Sequence, residues 1–282
     1  MNFCSRVAQA QDAVLAGTGV RGDAYVLVPA PKRFWGEKEM NTGWATAAEL
    51  DAVAEARRRG VVTRLYNPRD GAPSPVRVHR RDATAAAEAL PALLEALSAR
   101  GPIDEGGSPT FAVCTHGQRD RCCAKWGFAV YREALRLFES GVSPYAPLEC
   151  SHLGGDRFAA TGILFPSGGM YGHLDQVDLE ALFRADAEGR ILPRGYRGRV
   201  FDSGLVQVVR AGLARDGYET SATAPISVEE GSDGIRAAVG GRTYVVSVEV
   251  ADTRFFPSCT ALDADRASLG RRTVYAGAKP LN

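Results

Sequence analysis

The chain lacks an excess of either charge: 34 Lys and Arg stand against 33 Asp and Glu, a formal charge of +1 over 282 residues. Bulk electrostatics therefore point neither to nucleic acid nor to a membrane surface, and partners must be argued from a site. No stretch approaches eighteen apolar residues, and MNFCSRVAQAQDAVLAG has no positive opening before a long apolar run. Neither a transmembrane helix nor a signal peptide is expected, and the default is a cytoplasmic protein. Phosphate loops are missing too, because Gly154-Gly155 carries neither G-x-G-x-x-G nor a Lys-Ser/Thr ending and reads as a turn. Without a motif for flavin or nicotinamide, any redox chemistry would draw its electrons from a separate reductase.

What the chain does have is sulfur in one place. Between Phe111 and Tyr171 lie FAVCTHGQRDRCCAKWG and ECSHLGGDRFAATGILFPSGGMYG, with four of the six cysteines. Six cysteines in a cytoplasmic chain of this size are metal ligands, redox thiols or buried apolar residues sooner than a disulfide framework.

The elements around this stretch read as α/β, and the 45% hydrophobic content suffices for a core. Ala24–Val28 is a buried strand, Thr46-Ala-Ala-Glu49 a capping box opening a helix to Arg59, and Val61–Tyr66 a strand. Pro75–His79 reads as a half-exposed strand, and Asp82 caps a helix to Ala99 that Pro91 should kink. After a Gly101–Ser108 linker the order recurs: strand Thr110–Cys114, helix Ala124–Glu139, strand Leu148–Cys150, a hairpin of Gly162–Phe165 with Met170–Tyr171, and helix Leu179–Ala187. Two tandem thioredoxin-like β-α-β-β-α units are expected, over residues 1–107 and 108–190. A C-terminal α+β extension over 191–282 holds helix Ser203–Arg215 and the β segments of Pro225–Val250.

Cys114 ends a strand and Cys122-Cys123 open the next helix, where backbone N–H groups and the positive helix end favour thiolates. Cys150 and His152 share one face of an extended segment, and the glycine turn brings Asp156 towards the same point. Thiolate, imidazole and carboxylate converge there; two thiolates with Cys150 and His152 would satisfy tetrahedral zinc or hold a [2Fe–2S] cluster, and Cys122-Cys123 or Cys114/Cys123 would also fit dithiol redox chemistry. Cys4 and Cys259 read as small apolar residues, His79 as a surface residue, and Arg194, Arg197 and Arg199 as solvated.

CTHGQRDRCCAKWG followed by HLGGDRFAATGILFPSGGMYG resembles the sucrase/ferredoxin-like family, which includes the fungal actin-patch-distribution proteins. FCSRVAQAQDAVLAGTG and the FWG near Trp35 extend the resemblance over most of the chain. It implies a thioredoxin-like ferredoxin with a [2Fe–2S] cluster that transfers single electrons; no paired carboxylates support glycoside hydrolysis. Cys114 and Cys123 match the family's two cysteines, leaving Cys122 as a non-ligand neighbour. His152 matches the first histidine of H-x-G-G-H, whereas Asp156 stands at the second. The fourth ligand is then Cys150 or Asp156, with Cys150 favoured because thiolate suits ferric iron better. His116, Arg119 and Arg157 would touch the cofactor or form a positive rim for an acidic redox partner protein. The alternative is a zinc-binding or dithiol module acting in protein interaction or thiol–disulfide exchange.

Overall fold

A computed structural model describes residues 2–36, 43–69, 74–82, 87–105, 108–218, 221–231 and 234–281. Its most apolar runs become the middle strands of a mixed sheet. After a short helix α1 (Cys4–Ala10), the first half runs β1 (Ala24–Pro29), α2 (Ala47–Arg58), β2 (Val61–Tyr66), β3 (Val76–Arg80), α3 (Leu90–Leu97) and β4 (Ile103–Asp104). Every residue of β1 is buried, as a strand covered on both faces requires. Thr46 opens α2 with the expected capping box: its Oγ1 accepts from the Glu49 N–H, and the Glu49 carboxylate accepts from the Thr46 N–H.

The second half runs β5 (Thr110–Cys114), a π turn over Cys123–Gly127 leading into α4 (Phe128–Glu139), β6 (Ala146–Cys150), β7 (Gly162–Phe165), β8 (Gly169–Tyr171) and α5 (Leu179–Ala187). In both halves the first strand has a parallel neighbour on one side and an antiparallel one on the other: β2 and β3 flank β1, as β6 and β7 flank β5. Beyond that shared core the halves diverge. β8 pairs with β7 as an antiparallel hairpin, whereas β4 follows α3 and runs parallel to β3. With β9 (Tyr196–Arg199) added at one edge, nine strands take the order β4-β3-β1-β2-β6-β5-β7-β8-β9. β9 comes after residue 190 in the chain, yet it pairs with β8.

The halves join where β2 meets β6, at Tyr66 opposite Cys150, reinforced by Ser151 N–H donating to Leu65 O at 2.7 Å. Helix α6 (Gly204–Arg215) leads into a separate antiparallel sheet of β10 (Ile226–Gly231), β11 (Gly234–Val239), β12 (Arg242–Phe255) and β13 (Ser268–Leu281), with α7 (Cys259–Asp263) between the last two. The expected α/β class with a C-terminal α+β part is therefore present.

Some details differ from the sequence reading. Pro91 lies in the first turn of α3, where its missing N–H leaves no intrahelical bond unmade, so it does not kink the helix. The start of the helix expected after Asp82 falls on residues 83–86, outside the described residues. Inside the expected linker, Ile103–Asp104 gain ladder bonds to β3. No helix among the described residues is long and apolar enough to cross a membrane.

Candidate metal centre

Cys114 ends β5 on the sheet face that also holds Ala112, Leu148 and Cys150, while Phe111 and Val113 pack into the core on the other face. The following loop returns through Asp120 to the π turn, and Gly127 is what lets that turn close down. A Cβ there would lie 1.9 Å from the Cys114 carbonyl oxygen. Only a glycine permits this approach, and it sets Cys123 beside Cys114. From β6 the chain continues through His152 into Gly154 and Gly155, at φ +91° and +80°, conformations that suit glycine. That turn carries Asp156 back to the same point.

The result is a ring of contacts. Cys114 stands close enough to Cys123 and His152 for both to act on its thiol. Cys123 Sγ lies 3.7 Å from Asp156 Oδ1, and Asp156 Oδ1 lies 3.0 Å from His152 Nδ1. Both cysteines and Asp156 are buried, and the His152 side chain is one-fifth exposed. Cys123, helped by His152, holds the Cys114 thiol well below its usual pKa against the effect of burial. Burial would lower the His152 pKa, but Asp156 and Cys114 together raise it to about 9.

Cys150 is the register partner of Cys114 and shares its face, lying beside the ring on the neighbouring strand. His116 accepts the His152 backbone N–H on Nδ1 at 3.3 Å and meets Trp35 edge-on at 5.5 Å. Arg119 Nε stands 3.6 Å from Asp156 Oδ2. Arg157 points elsewhere, with its guanidinium 3.8 Å from the centre of the Phe255 ring and 4.4 Å from that of Phe158.

Two thiols, an imidazole and a carboxylate from two loops thus come together almost wholly out of water. His152 Nδ1 and His116 Nε2 are buried without a well-aligned hydrogen bond. Buried polar nitrogens in that condition carry a desolvation cost that a bound ion or cluster would offset.

Two sequence readings are corrected. His79 is buried, not at the surface, and stacks on Phe165 at 4.1 Å with ring planes 7° apart. Arg197 and Arg199 are not solvated. Arg197 is buried and donates to Gly154 O at 2.9 Å and Thr18 O at 2.6 Å, so it buttresses the glycine turn. Arg199 donates to Ser167 O at 2.9 Å.

A second buried group was missed altogether. Cys4, Cys122 and Cys259, read as apolar residues and a bystander, stand together with Asp120. The Cys122-Cys123 pair was the one available signal, since neighbouring residues at a helix start point to different sides. Nothing local marks Cys4 and Cys259, which are 255 residues apart.

The model of the family described as sucrase/ferredoxin-like matches residues 15–198, more than half of the chain. No curated protein and no solved structure matches it.

Proposed function

Because the chain belongs to the sucrase/ferredoxin-like family, we propose that it is a [2Fe–2S] protein passing single electrons, held by Cys114 and Cys123 on one side and by His152 and Asp156 on the other. The observation supporting this is the ring of contacts among those four side chains, which draws on both loops of the predicted stretch. Asp156 is taken as the fourth donor because its Oδ1 lies 3.7 Å from Cys123 Sγ and 3.0 Å from His152 Nδ1.

A bound cluster would supply a one-electron couple, and imidazole in place of thiolate raises its potential. The chain's own residues do the rest. His116 fixes the His152 backbone, Arg197 fixes the glycine turn, and the surrounding core of Ala112, Leu148 and Leu153 keeps water away. Arg119, two-fifths exposed beside Asp156, gives the site a cationic edge for an acidic redox partner.

Iron and acid-labile sulfide measured on wild type, Asp156→Ala and Cys150→Ser test the reading. A red-brown wild type with about two irons per chain is expected, with iron lost in Asp156→Ala and retained in Cys150→Ser. The reverse order moves the fourth ligand to Cys150. A colourless preparation holding zinc, or one free of metal that reduces disulfides, overturns the electron-carrier reading.

A further inference from the structure

Asp120 is the pivot of the second buried group. Its Oδ1 accepts the Cys122 N–H at 2.7 Å, and its Oδ2 accepts the Cys259 N–H at 2.7 Å. One carboxylate thus ties the loop before α4 to the start of α7. Around it the three sulfurs form a triangle: Cys122 to Cys259 is 3.2 Å, Cys4 to Cys122 3.6 Å, and Cys4 to Cys259 3.6 Å. All three are free thiols with at most 2% exposure, and Asp120 is 4% exposed. Ser5 Oγ donates to Cys122 Sγ at 3.3 Å.

Three thiols and a carboxylate gathered this tightly are more than apolar packing requires. A tetrahedral ion bound by sulfur at about 2.3 Å separates its thiolates by about 3.8 Å, close to the two longer edges of this triangle. A polynuclear cluster would instead spread three thiolates over different irons and hold them further apart. The sulfurs are also well beyond disulfide bonding distance, roughly 2.05 Å.

We propose that Cys4, Cys122 and Cys259 form a second metal site that takes a single soft divalent cation of the zinc class, with Asp120 as the fourth oxygen donor. Binding exchanges the thiol protons for the cation and releases them to solvent. Arg121 lies within electrostatic reach of Cys259 and Asp120, and Arg157 within reach of Cys4; both offset the negative charge that the ligands carry. The site is distinct from the centre at Cys114 and Cys123, although the adjacent residues Cys122 and Cys123 serve one each. Cys4 and Cys259 lie outside the matched residues 15–198. The site therefore fastens α1 and the C-terminal sheet onto the loop that presents Cys123.

Metal analysis and cobalt substitution of the full chain, reduced and handled anaerobically, test this. Wild type should retain about one zinc per chain and, with Co²⁺ in its place, show the intense thiolate charge-transfer and tetrahedral d–d bands of a sulfur-rich site. Cys259→Ser should lower zinc at least tenfold while leaving iron content unchanged; Cys114→Ser should do the opposite. Should Cys259→Ser not fold, Cys259→His replaces it, with a blue-shifted cobalt spectrum expected. Zinc uptake that is absent in the reduced wild type, or indifferent to both Cys259 variants, overturns the proposal. So does a Cys122–Cys259 disulfide that persists in the native protein when zinc is supplied. A protein free of iron would sink the electron-carrier reading and leave this result standing, because the two sites share no ligand.

Discussion

At the scale of single residues, burial decides more than polarity. His79 and His173 are both buried with neither ring nitrogen hydrogen-bonded. For His79, burial first and the nearby Arg77 second lower the pKa to about 4, with Asp104 opposing them. His173 is lowered to about 4, chiefly by burial. A histidine depressed in the folded state binds its proton more readily in the unfolded chain. Its contribution is intact above the unfolded pKa of about 6.5 and is lost as pH falls towards 4. The cost for His79 alone reaches about 3 kcal/mol once both pKa values are passed. His79→Phe, which keeps an aromatic ring against Phe165, should flatten the acid limb of stability between pH 6.5 and 4. Denaturant midpoints measured across that range check it: an acid limb as steep as wild type would mean that His79 is not a source of the acid sensitivity. The sequence could not reveal this, because V-R-V-H-R alternates like a half-exposed strand while the histidine is covered by a core residue from far along the chain, Phe165 at the end of β7.

At the scale of elements, what was legible was local. The Thr46 capping box lies within four residues and needs no tertiary partner, so the start of α2 could be read directly. Strands β4 and β9 could not be, since two or four residues acquire strand character only from the neighbour that pairs with them. Likewise, the motif showed Cys114, Cys123, His152 and Asp156 as candidates, but only packing brings Asp156 within 3.7 Å of Cys123. Gly127 makes the same point as an experiment. In Gly127→Ala the new methyl carbon would meet the Cys114 carbonyl oxygen at 1.9 Å and the carbonyl carbon at 3.1 Å, both backbone atoms that cannot rotate away. The π turn must move off β5 and take Cys123 with it. Iron content should fall to near zero, with a stability loss of about 1–3 kcal/mol from overpacking. Gly141→Ala is the control: φ is +75° there, but a Cβ meets nothing within 4 Å. It should cost about 1 kcal/mol of left-handed strain and leave iron unchanged. Equal iron loss in both variants would refute the close-approach argument.

At the scale of the whole molecule, a buried ion pair sits at the joint between the two sheets. Arg210 on α6 has no exposed surface; it donates to Asp202 Oδ2 at 2.7 Å, Ser221 O at 2.9 Å and Ala224 O at 2.9 Å. Those partners run from the residues just after β9 to the entry of the C-terminal sheet. The same helix buries Val208, Val209 and Leu213 against Ile235, Tyr244 and Tyr275 of that sheet. Because α6 serves both sheets, the extension should unfold with the rest, not ahead of it. Arg210→Met removes the nearer of two cations at the buried Asp202 and leaves Arg199 Nη1 at 3.6 Å, so the loss should stay below the roughly 3–5 kcal/mol typical of a wholly unpaired buried carboxylate. The expected result is a single denaturant transition with a lower midpoint and an unchanged slope. Adding Asp202→Asn should recover only part of the loss, because it removes the under-compensated carboxylate but also takes the ion-pair partner of Arg199. Two separated transitions, with the extension melting first, would show that it is tethered to the large sheet by less than this joint. Zinc content followed along the same titration would then fall with the first of them, as Cys259 leaves its partners.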